Sequence, residues 1–156
     1  MKLLSLSFVA LAFILLGVIL LLGIMRTWRV QSNQIQQEFL KGNVPTNLNG
    51  LYKGTVNIKT TWQGKKFNSS KSTGINIFKD ANDVRERYPF KTYVGKALQD
   101  DIQVLKIDYN LPENPLWLRF VVDELVQTKP GKYLGKLNVK FPPGISFGLG
   151  YFTLEK

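Results

Sequence analysis

The stretch from Tyr133 to Phe141, which reads Tyr-Leu-Gly-Lys-Leu-Asn-Val-Lys-Phe, carries the clearest structural pattern of the chain. Tyr133, Leu137 and Val139 occupy every second position and alternate with polar residues such as Lys136. Successive side chains of a β-strand point to opposite faces of a sheet. The alternation therefore predicts a strand with one apolar and one polar face.

Similar stretches fill the chain from Thr46 to Lys156, and turn sequences such as Thr128-Lys-Pro-Gly131 and Pro112-Glu-Asn-Pro115 separate them. The stretches that alternate are 51–59, 62–67, 75–78, 88–97, 102–109, 116–126, 133–141 and 147–154. No helical pattern interrupts them. About eight short strands joined by short turns predict an all-β domain over residues 46–156, folded as an antiparallel sheet that closes into a barrel.

The N-terminal segment has a different character, because Leu3 to Met25 is a run of uncharged and mostly apolar residues. As a helix rising about 1.5 Å per residue it would cover roughly 34 Å, enough for a hydrocarbon core of about 30 Å. We therefore predict one N-terminal transmembrane helix over residues 1–25. A cleavable signal peptide is the alternative, but the long run and the poor cleavage sequence at Leu22 to Arg26 favour an uncleaved anchor.

Residues 26–45 are predicted to form a juxtamembrane amphipathic helix and a linker. Apolar residues recur at helical spacing beyond the membrane, and Gly42-Asn43 and Pro45 are expected to end the helix. The positions of this stripe are Met25, Trp28, Ser32, Ile35 and Phe39. The stripe can dock on the protein's own barrel or on another helix.

The predicted location is the membrane, with a single-pass anchor. The side of the membrane on which the barrel lies stays open. Arg26, Arg29 and Lys41 follow the span and slightly outweigh Lys2 and the amino terminus, which favours a cytoplasmic domain. A short basic start before a long apolar run is also typical of an export signal.

The composition excludes many kinds of functional site. The chain has no Cys and no His, so it has no disulfide, thiolate or histidine metal site, and no Ser-His-Asp triad. Asp123 and Glu124 are adjacent and would point to opposite faces of a strand, so they do not form a glycosidase pair. We expect no catalytic residues, no metal site and no cofactor, which favours a non-enzymatic protein.

The domain from Thr46 onward contains seventeen Lys and Arg residues against ten Asp and Glu, a net charge of +7. Nucleic acid is one partner that such a charge attracts. The positive charge is spread over all strands, and neither a recognition helix nor an arginine cluster accompanies it. Attraction to anionic lipid is the simpler interpretation, and we expect no nucleic-acid binding.

Two glycine-aromatic motifs resemble known families. Leu48-Asn-Gly50-Leu-Tyr52-Lys-Gly54 resembles the Gly-x-Trp opening of lipocalin-like (calycin) barrels, with Tyr52 at the Trp position. Thr61-Trp62-Gln63-Gly64-Lys65-Lys66-Phe67 is similar to a stretch of the small bacterial GXWXG-motif proteins, with Thr60 at the position of the first motif glycine. The resemblance implies a lipocalin-like β-barrel whose activity is undefined.

Five residues are candidates for contact with a ligand. Tyr93, Tyr109 and Tyr133 lie on strands and can offer hydroxyls to a ligand's polar group, while Arg119 can pair with an anionic one. Trp62 can stack on a ligand or plug one end of the barrel. Ordinary core packing is the alternative for the aromatic residues, and a surface ion pair is the alternative for Arg119.

The functional prediction is a membrane-tethered, non-enzymatic module that binds a small hydrophobic or amphipathic, lipid-like ligand at the barrel mouth nearest the bilayer. Eight strands leave little space inside a barrel, so this function needs small inward residues, for which Gly95 and Gly135 are the candidates. The alternative is an assembly or scaffold protein that docks a membrane-protein partner through the sheet surface. That function requires a filled lumen and an exposed apolar patch.

Overall fold

The computed structural model of the protein describes residues 2–81, 83–142 and 144–156, with side chains from residue 8 onward. Each of its eight strands pairs antiparallel with its neighbour in the chain, and the first strand also pairs with the last, which closes a barrel. The strands are β1 (Gly50–Val56), β2 (Trp62–Asn68), β3 (Thr73–Asp80), β4 (Asp83–Lys96), β5 (Gln103–Asp108), β6 (Val121–Lys129), β7 (Lys132–Phe141) and β8 (Ile145–Glu155). The prediction of a mainly β, eight-stranded antiparallel barrel is confirmed.

The alternating pattern decides which side chains enter the lumen. On β6, Leu125 and Val121 belong to the inner core, whereas Val126 belongs to a second cluster outside the barrel. Nearly all of β6 is buried, because Phe39 and the loop after β4 pack against its outer face. A strand buried on both faces is apolar on both, which explains the continuous run of apolar residues around Asp123 and Glu124.

Aromatic rings fill the part of the lumen near the start of β1. Tyr52 contacts Phe67 and Tyr133 edge to face, with ring centroids 5.5 and 5.4 Å apart, and Phe67 contacts Phe90 at 5.3 Å. Edge-to-face packing of this kind stabilises a core beyond the apolar area it buries. The Phe152 ring occupies the space next to Gly135, so this glycine admits a neighbouring ring and leaves no space for a ligand.

The helical part consists of α1 (Lys2–Gln31) and α2 (Gln34–Leu40). The predicted helix past the membrane is therefore divided at Ser32 and Asn33. The Asn33 side chain accepts a hydrogen bond from the Ile35 backbone N–H and caps a new helix, which is why the chain turns there. Phe39, on α2, is completely buried against the outer face of the barrel, so this part of the stripe docks on the protein itself.

A polar network also fixes α2 to the barrel. Gln36 donates to Asp100 at 2.7 Å and accepts hydrogen bonds from Lys136 and Tyr151. Lys136 lies 2.8 Å from the Asp100 carboxylate and is fully buried. These contacts join α2, the loop between β4 and β5, and the outer faces of β7 and β8 into one unit.

The last turns of α1 run along β8. Gly23 packs against the Phe147 ring, and Thr27 Oγ1 accepts a hydrogen bond from the Gly148 N–H at 3.0 Å. Further along, the Val30 carbonyl accepts a bond from the Tyr151 hydroxyl at 3.4 Å. Later residues of α1 contact later residues of β8, so the two elements run in the same direction. The rest of α1 therefore extends past the first residue of β8, and Phe8–Gln31 is long and apolar enough to cross a membrane, judged by length and composition.

The predicted strand over residues 116–126 is wrong in its first half. Leu116–Phe120 form a 3₁₀ turn, and β6 begins only at Val121. Pro115 precedes the turn with φ of −61° and accepts a hydrogen bond from the Leu118 N–H. The backbone bonds of this segment are therefore local ones of a 3₁₀ turn, and its alternating pattern does not produce a strand.

Candidate functional site: a cavity at one end of the barrel

A cavity of about 320 Å³ opens at the end of the barrel opposite the aromatic packing around Tyr52. It lies where β1 and β3 end and where β2 and β6 begin. Its wall is largely apolar and is formed by Val56, Phe78, Tyr88, Trp117, Leu118, Val121, Leu137 and Phe152. The lumen is therefore filled at one end and hollow at the other.

Four polar side chains and one indole N–H form a cluster in the cavity wall. Lys65 Nζ lies 2.9 Å from Asp123 Oδ2, and each of these side chains is only 3% exposed. Lys65 also donates to Asn76 Oδ1 at 2.9 Å and to the Tyr109 hydroxyl. The Tyr109 hydroxyl lies 3.1 Å from Asp123 Oδ2, and Trp62 Nε1 donates to Asn76 Oδ1 at 3.0 Å.

Aromatic rings surround the Lys65 ammonium. Its Nζ lies between 5.1 and 5.5 Å from the ring centroids of Trp62, Phe90, Tyr109 and Phe152. The negative face of an aromatic ring attracts a cation. Burial nevertheless lowers the pKa of Lys65, and the Asp123 carboxylate opposes that shift. Lys65 and Asp123 thus form an ion pair that is shielded from water.

Burial affects the hydrogen bonding of Asp123 and the pKa of Tyr109. Asp123 Oδ1 is buried and has no hydrogen-bond partner among the described residues, although Oδ2 is fully engaged. Burial, together with the neighbouring Asp123 carboxylate, raises the pKa of the Tyr109 hydroxyl well above its usual value. Tyr109 is therefore a neutral donor or acceptor at physiological pH.

A β-bulge brings Trp62 and Lys65 to the same face. The register between β2 and β3 shifts between Trp62 and Gly64, so that Gln63 is the extra residue. Gly64 has φ of +138°, and a Cβ there would overlap the Tyr52 carbonyl oxygen. Strict alternation would place Lys65 and Trp62 on opposite faces of the sheet. The bulge at Gly64 places them on the same face.

The structure brings together two of the five predicted ligand residues. Trp62 and Tyr109 line the cavity. Tyr133 lies inside the barrel but packs on Tyr52 at the filled end. Tyr93, which was expected beside a ligand, is 43% exposed on the outer face and donates to Asp108 at 3.2 Å. Arg119 also lies outside the cavity.

Arg119 is occupied by the backbone. Its guanidinium donates to the carbonyl oxygens of Asn114 and Pro112, which holds the loop before the 3₁₀ turn. The strand predicted over residues 116–126 begins only at Val121. Arg119 therefore lies outside the strand whose alternation was expected to orient it. Arg119 is consequently not placed to pair with an anion in the cavity.

Sequence reasoning missed Lys65, Asn76 and Asp123 as cavity residues. Lys65 stands within the glycine-aromatic motif, but only the bulge turns it inward. Asp123 drew attention only as half of a carboxylate pair. Its neighbour Glu124 does point to the other face, where it accepts hydrogen bonds from Lys106 and from the Leu98 N–H.

Exposed apolar side chains surround the open end of the barrel. They come from the four connections at this end and from the strand ends beside them, where β1 joins β2, β3 joins β4, β5 joins β6 and β7 joins β8. We call this set the apolar rim; its members are Ile58, Val84, Leu116, Trp117, Phe141 and Ile145. Helix α1 extends past the barrel at the same end, so the cavity mouth, the rim and the apolar helix lie together.

Comparisons of the chain with protein-family models, curated proteins and solved structures gave no match. The resemblance of its motifs to lipocalin-like and GXWXG-motif proteins therefore stays a prediction. The functional argument depends on the cavity itself.

Proposed function

We propose that the protein is a membrane-tethered, non-enzymatic module that binds one small hydrophobic or amphipathic molecule in the barrel cavity. The observation that carries this proposal is the hollow end of the lumen, where an apolar wall surrounds a small cluster of buried polar groups. Ligand sites have this composition, because apolar surface supplies affinity and a few polar groups fix orientation.

The size of the cavity limits the ligand. A volume of about 320 Å³ is close to the lower end of the range for ligand pockets, roughly 300 to 1,000 Å³. It corresponds to about ten molecules of water at roughly 30 Å³ each, hence to about ten non-hydrogen atoms of a ligand. A longer chain would have to leave through the mouth.

The position of the mouth supports a ligand that comes from a bilayer. If α1 spans the membrane, the apolar rim meets the lipid surface, where its side chains are removed from water. Lys59 lies in the connection between β1 and β2 and is attracted to anionic headgroups, at about 1 kcal/mol for a cation near such a surface. Both features point the open end toward lipid.

The alternative function, docking of a membrane-protein partner through the sheet surface, has less support. Most exposed apolar residues of the barrel belong to the apolar rim, and the rest of the sheet surface carries separated ones such as Leu51 and Val94. A docking protein also needs no hollow lumen. The cavity therefore favours the binding module.

Heavy-atom quenching of Trp62 tests the proposal in the full-length protein. The variant Trp28→Phe with Trp117→Phe leaves Trp62, in the cavity wall, as its one tryptophan. In lipid nanodiscs, 1-bromodecane and 10-bromo-1-decanol are expected to quench its fluorescence saturably.

The control adds Val121→Phe, which fills the cavity with a larger side chain and is expected to abolish the saturable component. Circular dichroism checks that this variant is folded. If neither brominated compound quenches Trp62 saturably in the unfilled barrel, the proposed function is wrong.

A further inference from the structure

We infer that the cavity selects a neutral amphipathic alcohol, with its hydroxyl donating to Asp123 Oδ1 and its chain directed to the mouth. This inference rests on the proposed function and adds the chemical class of the ligand. It follows from which hydrogen-bonding groups of the cavity wall are already engaged and which one is not.

The side-chain donors of the cluster are all engaged. The three N–H groups of the Lys65 ammonium have three acceptors, on Asp123, Asn76 and Tyr109. The Asn76 amide donates to the Tyr88 carbonyl at 3.0 Å and to the Tyr109 hydroxyl at 3.1 Å. Trp62 Nε1 donates to Asn76. A ligand that offers only acceptors therefore finds no free side-chain donor in this cluster.

One strong acceptor is free. Asp123 Oδ1 is a carboxylate oxygen, is shielded from solvent and has no partner among the described residues. A buried acceptor left without a hydrogen bond is unfavourable, and a bond to a charged acceptor is stronger than one between neutral groups. A ligand that brings a donor to this oxygen removes that deficit.

The charge balance of the cluster excludes an anionic ligand. The Lys65 charge is already compensated by Asp123 at 2.9 Å, and Arg119 is bound to backbone carbonyls outside the cavity. Lys140, which lies near the same end, pairs with Asp108. A fatty-acid carboxylate would be desolvated beside Asp123 without a counter-charge, which costs several kcal/mol in general. A hydroxyl carries no such penalty.

The depth of Asp123 sets the orientation of the ligand. Asp123 lies two residues into β6, whereas Trp117 and Leu118 precede that strand at the mouth. A hydroxyl bound to Asp123 therefore leaves its chain against the apolar wall, pointing outward. About ten carbon atoms fill the cavity, and additional carbons would reach the apolar rim.

The test compares three brominated ten-carbon compounds in the Trp62 quenching assay on the full-length protein in nanodiscs. We expect 10-bromo-1-decanol to bind about tenfold or more tighter than 1-bromodecane, because only the alcohol bonds to a charged acceptor. We expect no saturable quenching by 10-bromodecanoate at the same concentrations. The concentration of each compound is measured within the bilayer, relative to lipid. The three compounds are thereby compared without the effect of their different partitioning into the bilayer.

Asp123→Asn is the informative variant. It removes the free carboxylate oxygen and leaves the Lys65 charge uncompensated, so the preference should shift from the alcohol to 10-bromodecanoate. Glu124→Gln is the matched control, because Glu124 is an equally buried, lysine-paired carboxylate on the outer face. Its preference for the alcohol should stay unchanged.

Three results would overturn the inference while leaving the proposed function intact. These are equal binding of the alcohol and 1-bromodecane, tighter binding of the carboxylate, and a preference for the alcohol that persists in a folded Asp123→Asn variant. Equal binding would show that the ligand hydroxyl forms no hydrogen bond to Asp123 Oδ1 that strengthens binding. Absence of saturable quenching by all three compounds would instead contradict the proposed function. Should Asp123→Asn fail to fold, the comparison of the three compounds in the unsubstituted cavity still decides.

Discussion

Lys65 and Asp123 carry opposite charges inside the barrel, where the energy of an ion pair depends on both partners being present. Removal of one partner from a buried pair leaves an uncompensated charge and typically costs about 3–5 kcal/mol. Replacement of both by apolar residues of similar volume is often neutral or stabilising. We therefore expect the pair to add little stability compared with an apolar core of the same volume.

Substitution of one or both partners tests this balance. We expect Lys65→Met and Asp123→Leu each to lower the stability of the barrel by about 3–5 kcal/mol, and the double variant to be more stable than either. Thermal unfolding of the full-length protein in detergent, followed by near-ultraviolet circular dichroism, ranks the stabilities of the two single variants and the double variant. A double variant less stable than both single variants would show that the pair itself stabilises the fold.

The raised pKa of Tyr109 predicts a loss of stability in alkali. An unfolded tyrosine loses its proton near pH 10, whereas the buried Tyr109 hydroxyl keeps it to higher pH. Above about pH 10 the unfolded state binds fewer protons, so the free energy of unfolding falls with pH, by up to about 1.4 kcal/mol per unit for one group. Below pH 10 this contribution is constant.

Urea unfolding at pH 9 and pH 11 measures this effect. Tyr109→Phe should reduce the difference in the free energy of unfolding between the two pH values. Tyr93→Phe is the control and should change it less, because Tyr93 is half-exposed and burial raises its pKa to a smaller extent. An unchanged difference in Tyr109→Phe would argue against the buried, neutral hydroxyl.

We expect the bulge in β2 to decide whether the polar cluster of the cavity forms. Gly64→Ala places a Cβ against the Tyr52 carbonyl oxygen in a backbone conformation that disfavours side chains, so we expect a loss of stability above about 3 kcal/mol. Gly131→Ala is the control: its φ is +75°, but no atom lies within 4 Å of the added Cβ, so about 1 kcal/mol is expected. Equal losses in thermal unfolding would mean that the close approach is unimportant.

Helix α2 is predicted to belong to the barrel rather than to the anchor. Its Phe39 fills the outer cluster with Val126 and Leu134, and its Gln36 joins the network of Asp100 and Lys136. We expect a fragment of residues 32–156 to fold as a soluble, β-rich protein. A fragment of residues 42–156 should be less stable by about 3–5 kcal/mol, the usual cost of losing a buried phenylalanine.

Far-ultraviolet circular dichroism and urea unfolding of the two fragments check this prediction. Equal midpoints of unfolding would place α2 outside the folded unit. An unfolded 32–156 fragment would show that the barrel requires α1 as well.

The elements differ in how far the sequence predicts them. Alternation predicts the strands because one face of each is buried, and it fails at Leu116–Phe120, where Pro115 favours a 3₁₀ turn. It also fails at Lys65, because a bulge inverts the alternation. The bulge in turn depends on the contact of Gly64 with another strand. The hollow end depends on side chains from seven strands, and no local pattern reveals how much of the lumen they fill.

The apolar rim is predicted to lie in the lipid surface. A full-length variant with Trp28→Phe and Trp62→Phe retains Trp117, which is 63% exposed on the rim. We expect brominated phospholipids in nanodiscs to quench its fluorescence. The control replaces Trp117 as well and adds Leu51→Trp at the opposite end of the barrel, where brominated lipid should have little effect. Equal quenching of the two tryptophans would contradict the predicted orientation.

If the barrel binds a ligand as proposed, the contacts of α1 with β8 would also affect the kinetics of ligand exchange. Thr27 and Val30 bond to β8, and α2 follows after only two residues, so no flexible linker separates the apolar helix from the barrel. With α1 in a bilayer, the cavity mouth would stay at one fixed height above the lipid. A hydrophobic molecule could then enter it without crossing bulk water. Its rate of entry would follow its mole fraction among the lipids and be independent of the volume of buffer around the membrane.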